Sequence, residues 1–226
     1  MGKLIICRHG QTPYNLHKLM TGLADPDLTE LGEEQAKDLG KILTTLKIDK
    51  VYASTLSRAF NTAALALAAS EIHKDHDIEL RSEIVELDVG IFTGRNYKTD
   101  IAITCLERKF DRAHPKGESF ANVVDRIQDF IDTKLKPRLD NGENVLVVCH
   151  SGVLRAFQYC FDKEEGAVER CFEGTIPNAT PWIVDFDDKG DIQDKYFLTD
   201  RLAANSNKPK AQAQAKSKQK PQPRFK

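Results

Sequence analysis

Val145-Leu146-Val147-Val148-Cys149, running into His150-Ser151-Gly152, is the stretch that decides the fold. Five consecutive apolar side chains, three of them β-branched, predict a strand buried on both faces, as in the interior of a parallel sheet. Small residues then open a helix that extends through Phe161. The same pattern stands near the start of the chain. There residues 3–7, Lys3-Leu4-Ile5-Ile6-Cys7, lead into Arg8-His9-Gly10. Working outward, Thr29 is the N-cap of a helix with Leu31, Ala36, Leu39 and Leu43 at helical spacing. Residues 50–53 predict a second strand and Ser54 to Ala69 a helix rich in Ala and Leu. Ile78 and Leu80 mark a short extended piece, residues 97–110 a weak helix, and Glu118 to Leu135 a strong one. Trp182 to Phe186 and Lys195 to Leu198 predict closing strands. Strands alternating with helices imply an α/β fold with a mainly parallel sheet.

The chain has 226 residues, 40% apolar and 30% charged, which is enough for one large domain with a substantial core and too apolar for wholesale disorder. No apolar run reaches the roughly 18 residues that a membrane-spanning helix needs. The formal charge of −1 conceals an asymmetry. Residues 205–226 carry six Lys, one Arg and no acid, so residues 1–204 hold 26 basic against 34 acidic side chains, a charge of −8. An acidic body argues against specific nucleic-acid binding, and any affinity for phosphate must come from a few placed cations. The Lys/Gln/Ala/Pro tail has the composition of a disordered segment, suited at most to a weak polyanion contact. Deleting residues 205–226 is expected to change turnover of small substrates by less than about twofold, because a tail that packs against nothing supports nothing. Five cysteines, Cys7, Cys105, Cys149, Cys160 and Cys171, are an odd number without zinc spacing. Together with the absence of a secretory signal they predict reduced thiols and a cytoplasmic protein.

Ligand sites in open α/β sheets lie beyond the carboxyl ends of the strands. Both of the best strands end there in a histidine, His9 and His150. One such histidine is ordinarily structural; two, each entering a small-residue turn, point to a shared site. Arg8 lies beside His9, and Arg58 opens the helix after the second strand. The planar guanidinium matches two phosphate oxygens, while Gln11, Thr12 and Asn15 add neutral donors. Two imidazoles and two guanidiniums suit a compact dianion. Residues 80–94 contribute Glu83, Glu86 and Asp88 ahead of two glycines. A carboxyl group near a bound dianion is pushed toward its protonated form and becomes a general acid near neutral pH. His73-Lys74-Asp75-His76-Asp77 has the composition of a metal site, but a solvated polar loop is the simpler reading. The nucleotide-binding and α/β-hydrolase loops, G-x-x-x-x-G-K-[ST], G-x-G-x-x-G and G-x-S-x-G, are absent from the sequence.

These residues resemble the histidine phosphatases, the phosphoglycerate mutase-like superfamily (branch 1). Arg8-His9-Gly10-Gln11-Thr12-Pro13-Tyr14-Asn15 is similar to R-H-G-[EQ]-[ST]-x-x-N. Leu28-Thr29-Glu30-Leu31-Gly32 through Gln35-Ala36 is similar to L-T-x-x-G-x-x-Q-A. Ser54 to Ala63, Glu86 to Gly90, Gly117-Glu118-Ser119 and His150 to Arg155 follow in the family's order, over roughly residues 3–200. Two positions depart from it: Thr93 stands where many members carry Glu, and Ser151 replaces a common glycine. The resemblance implies a three-layer α/β/α sandwich for residues 1–204. It also implies a catalytic set of His9 as nucleophile, Glu86 as proton donor and acceptor, and His150. Arg8, Asn15, Arg58, Gln11, Thr12, Thr21, Gly22, Ser151 and Lys116 would bind phosphate or substrate, without metal or other cofactor. A small phosphorylated molecule is then the partner.

Only 22 residues separate Gly94 from Gly117. The resemblance associates a long insertion here with the bisphosphoglycerate-dependent mutases, so the short connection favours a phosphatase of small phosphomonoesters such as sugar phosphates. The segments His114 to Ser119 and Asn144 to His150 resemble the fructose-2,6-bisphosphatase domain, where Lys116 would meet a second phosphate. A 2,3-bisphosphoglycerate-dependent phosphoglycerate mutase is the alternative enzyme, and a phosphate-binding scaffold the non-enzymatic one.

Overall fold

A computed structural model describes residues 2–100, 110–162 and 164–199. The tail at 205–226, Cys105 and most of the helix expected over 97–110 lie outside the described residues; 97–99 form a turn. The elements run β1 (Leu4–Arg8), α1 (Pro13–Leu16), α2 (Glu30–Leu43), β2 (Lys50–Ser54), α3 (Ser57–Ala69) and β3 (Ile78–Arg81). They continue with α4 (Phe120–Phe130), α5 (Lys136–Asp140), β4 (Val145–Cys149), α6 (Ser151–Cys160), α7 (Ala167–Cys171), β5 (Pro181–Phe186) and β6 (Ile192–Phe197). The sheet order is β3-β2-β4-β1-β5-β6. The first four strands are mutually parallel, and β5 and β6 close the sheet antiparallel.

Alternation along the strands builds the three layers. Leu4 and Ile6 of β1, with Val145 and Val147 of β4, face α4 and α6, where Val123, Ile127, Phe130, Leu154 and Phe157 complete one core. Ile5, Cys7, Leu146 and Val148 point the other way, onto Leu39 and Leu43 of α2 and Ala59, Ala63 and Ala66 of α3. Because β4 is covered on both faces, all five of its residues are buried, as its unbroken apolar run requires. The fold is thus an α/β/α sandwich with a mostly parallel sheet. Among the described residues, no helix is long and apolar enough to cross a membrane.

Two helices differ from expectation. The strong helix begins at Phe120 with Ser119 as N-cap. It does not stop at Leu135 but passes through a π-helical stretch, Ile131–Leu135, into α5. Pro137 has no N–H to continue an α-helical ladder, and a wider turn accommodates that loss. The helix expected from Ser54 starts at Ser57 and has no local side-chain cap. Asp25 caps it from 32 residues away, accepting the Ser57 N–H at 2.7 Å.

The His73–Asp77 segment is not simply solvated. His73 is buried, and its Nε2 lies 2.7 Å from the Leu46 carbonyl, while His76 Nε2 lies 2.8 Å from that of Ile48. The pair ties the α3–β3 turn to the α2–β2 connection. Cys7, Cys149, Cys160 and Cys171 are buried, and burial pushes the Cys7 and Cys149 thiols far above the ordinary value.

Candidate active site

Strand pairing alone brings the two histidines together. Arg8 is in register with Cys149 across β1 and β4, and the His9 N–H donates to the Cys149 carbonyl at 2.9 Å. His9 and His150 therefore leave the sheet side by side, ring centroids 5.2 Å apart. His9 Nδ1 lies 2.7 Å from its neighbour's carbonyl, Gly10 O, which can only accept. The proton is thereby assigned to Nδ1, leaving Nε2 unprotonated, with a lone pair that can accept. Burial and the Arg8 and Arg58 charges hold His9 well below the ordinary imidazole value, so it stays neutral.

Arg58 is fully buried, and its fork is filled on three sides. One terminal nitrogen donates to Ala24 O at 2.6 Å and to Asp25 Oδ1 at 3.3 Å, the other to Gly22 O at 3.0 Å, and Nε to His9 Nε2 at 3.3 Å. The 22–25 loop thus presses the guanidinium against the imidazole. Gly22 adopts φ +50°, and a Cβ there would meet the Val89 side chain at 2.7 Å, so only glycine presents its carbonyl in this way. Thr62 completes the support by accepting the Gly10 N–H at 2.9 Å while donating to Arg58 O.

His150 is fully buried, and Ser54 at the end of β2 lies 2.8 Å from its Nε2. With the Ser54 hydroxyl, which also accepts the Leu56 N–H, donating its proton to Nε2, Nδ1 carries the imidazole proton. Among the described residues that Nδ1 has no partner, and neither does Arg8 Nε, while an Arg8 terminal nitrogen is anchored on Ile176 O at 2.7 Å. Buried donors without partners are rare in folded proteins, and a multiply charged anion in this position would satisfy both.

Glu86 reaches the group from the loop after β3. Its Oε1 accepts the N–H of Leu87 at 2.9 Å and that of Gly152 at 3.0 Å. Gly152 is in the first turn of α6, where partial positive charge favours a carboxylate. A Cβ on Gly152 would sit 2.6 Å from this oxygen, which explains why glycine follows Ser151. Ser151 itself is the first residue of α6.

The remaining expected residues divide. Asn15 joins the site through Asn178, which the sequence reading missed: Asn178 Nδ2 donates to His9 O at 2.8 Å and to Asn15 Oδ1 at 3.3 Å. Thr12 is buried and serves as N-cap of α1, accepting from Asn15 N. Gln11 ties the start of α2, accepting from Thr29 Oγ1 at 3.1 Å and donating its N–H to Gln35. The Thr21 carbonyl closes the 21–24 turn. Lys116 is exposed on a left-handed turn. Asp25, Ser54 and Asn178 carried no decisive signal singly; the 22–25 loop, the pairing of β2 with β4 and the approach of Asn178 to the His9 carbonyl give them a role.

The buried imidazoles have a consequence for stability. Burial, before Arg58, His9 and Arg8, also drives His150 well below 6.5. Below pH 6.5 the unfolded chain then binds protons that the native state refuses, so stability is full above 6.5 and falls on acidification. Each linked imidazole contributes about 1.4 kcal/mol per pH unit. Thermal melts are expected to drop progressively below pH 6.5, with a shallower slope for His150→Gln than for wild type. Equal slopes would show that His150 is not linked.

A sequence model of the histidine phosphatase superfamily (branch 1) matches residues 4–197. Among curated relatives, the protein named 2,3-bisphosphoglycerate-dependent phosphoglycerate mutase from Rhizobium meliloti is 33% identical over 215 residues, covering 90% of this chain and 99% of the relative. The protein of that name from Parvibaculum lavamentivorans is 32% identical over 211 residues, covering 88% and 98%. A solved structure of mycobacterial glucosyl-3-phosphoglycerate phosphatase superposes with a TM-score of 0.74 at 22% identity, covering 88% of this chain and 98% of that one, which speaks for the fold alone. With the match spanning every strand of the sheet and both strand-end histidines, the chain belongs to branch 1 of the histidine phosphatase superfamily.

Proposed function

We propose that the protein is a metal-independent phosphatase of small phosphomonoesters, working through a phosphohistidine. One observation carries the reading: Nδ1 of His9 is spent on Gly10 O while Nε2 faces Arg58 beside His150. Nε2 attacks phosphorus, a P–N bond forms, and the P–O bond to the leaving group breaks with its electron pair going to oxygen. Glu86 gives that oxygen its proton, then takes one from the water that attacks phosphohistidine, splitting a hard displacement into two easier ones. Arg8, Arg58 and the His150 N–H hold the three equatorial oxygens, so that catalysis is mainly positioning and charge stabilisation. Removing one such donor from a closed site costs about 3 kcal/mol of transition-state stabilisation.

A mutase must also hold the second charged group of a bisphosphate. Among the described residues, two arginines whose charges bear on Arg8 and His150 have other employment: Arg155 on Gly174 O and Arg126 on Glu118. This supports hydrolysis. The length of the 94–117 connection does not, because the mutase-named relatives are matched over nearly their whole length by a chain of this size. Those relatives favour 2,3-bisphosphoglycerate-dependent isomerisation as the second reading. Phosphorus NMR decides between them, comparing phosphate release from a panel of sugar and glycerate phosphates with interconversion of 3- and 2-phosphoglycerate in the presence of the bisphosphate. Release is expected to dominate. Isomerisation faster than release by an order of magnitude would replace the phosphatase with the mutase.

A further inference from the structure

The Gly117-Glu118-Ser119 motif has no part in the chemistry above, yet its acid is joined to the loop that carries Glu86. Residues 85–89 have no regular secondary structure, so no ladder of hydrogen bonds sets the Glu86 backbone. Glu118, immediately before the N-cap of α4, and Arg126, two turns along that helix, supply the missing ties. Glu118 Oε1 accepts the Asp88 N–H at 3.0 Å, and the Glu118 N–H donates to Asp88 O at 2.9 Å. Arg126 donates to the same Oε1 at 2.9 Å, to Glu83 O at 2.6 Å and, more distantly, to Glu86 O at 3.5 Å. The pair thus grips the backbone on both sides of Glu86.

Two glycines allow the approach. A Cβ on Gly117 would come within 2.3 Å of Asp88 O, and one on Gly90 within 2.1 Å of Pro115 O. The Ile91 N–H closes the contact on Pro115 O at 3.1 Å. The loop is therefore clasped, backbone on backbone, by residues 115–118. At its other end the Glu86 carboxyl is held by Gly152 N–H.

We infer that Glu118 and Arg126 are positioning residues that hold Glu86 in register with the leaving-group oxygen, an inference that rests on the phosphohistidine reading. An exposed ion pair ordinarily does little, but this one, about one-fifth exposed on each side, is bonded into the acid's own loop. A misplaced acid slows only transfers whose leaving oxygen needs its proton. A 1 Å displacement of a reacting group commonly costs on the order of 100-fold.

The test is first-turnover transfer of phosphate to His9 in the full-length protein, comparing an alkyl phosphate, glycerol 3-phosphate, with 2,4-dinitrophenyl phosphate, whose phenolate departs unprotonated. Glu118→Ala is expected to slow transfer from the alkyl ester by about 30- to 100-fold and from the aryl ester by less than about threefold. Glu86→Gln should give the same leaving-group pattern. Glu118→Gln, which keeps the acceptor for the Asp88 N–H, should recover most of the alkyl rate. Equal slowing of both esters would mean general damage, and an unchanged alkyl rate would mean an ordinary surface pair; either overturns the inference. Failure of the wild-type protein to label His9 from either ester would instead overturn the reading of the site, and the positioning role with it.

Discussion

Replacing His9 by Ala is expected to remove all acid-labile, alkali-stable label from the protein after incubation with a labelled phosphate ester. Turnover should fall on the order of 10⁴-fold or more, the scale seen when a covalent nucleophile is deleted. No other buried imidazole is placed to substitute. His150 Nε2 is engaged with Ser54, and its N–H donor geometry suits binding an oxygen rather than attacking phosphorus. The structure sharpens the expectation to a single atom. Nδ1 of His9 lies 2.7 Å from Gly10 O, and phosphorylation there would sacrifice that hydrogen bond inside the core. The label should therefore sit on Nε2, which nitrogen-15 and phosphorus NMR of the trapped intermediate resolve. Label on Nδ1, or label surviving in His9→Ala, would defeat the mechanism.

Arg58→Ala is expected to damage activity and stability together. Loss of the guanidinium removes a charge from the developing transition state, worth about 10³-fold in kcat/KM. It also leaves the carbonyls of Gly22 and Ala24 unpaired, where Arg58 now donates to both, and frees the Asp25 carboxylate. Leaving buried acceptors unsatisfied typically costs 1–3 kcal/mol each, so a net loss of about 3 kcal/mol in unfolding free energy follows. Arg58→Lys keeps the charge but not the planar fork, and one ammonium cannot reach Gly22 O, Ala24 O and His9 Nε2 together. It should stay at least about tenfold below wild type in kcat/KM. Urea melts and steady-state kinetics on the two variants measure both effects. Wild-type stability in Arg58→Ala would show that the 22–25 loop does not depend on this side chain.

The contrast between these residues marks how far a sequence can be read. His9 and His150 were legible because each follows an unbroken apolar strand, and the site of an open parallel sheet lies where such strands end. Thr29 as a cap, the helix it opens and the existence of two closing strands were legible because capping and periodicity are local, whereas the antiparallel direction of those strands was not. Arg58 stood out only as a cation near a strand end. Three of its four acceptors come from a loop more than thirty residues earlier, and the fourth is His9 Nε2. Thr12 and Gln11 carried the chemistry of ligand donors, yet the fold uses their hydroxyl and carboxamide oxygens to cap α1 and to meet Thr29 at the start of α2. Pattern could not foresee this, because a polar side chain serves whichever partner the tertiary fold brings within 3 Å.

Asp25, Asn178 and the Glu118–Arg126 pair belong wholly to the second category. Asp25 caps a helix that begins 32 residues later, Asn178 binds the His9 carbonyl across 169 residues, and Glu118 reaches back 30 residues to Asp88. Hydrophobic period, caps and small-residue turns act within a few residues, so the sequence by itself determined the alternation of strands and helices, the mainly parallel sheet, the strand ends and the two histidines placed there. Hydrogen-bond partners distant in sequence depend on strand register and on backbone segments meeting at glycine, as at Gly22, Gly90, Gly117 and Gly152. Only the tertiary structure decided which nitrogen of His9 is unprotonated, what holds Arg58 against it, and what keeps Glu86 in place.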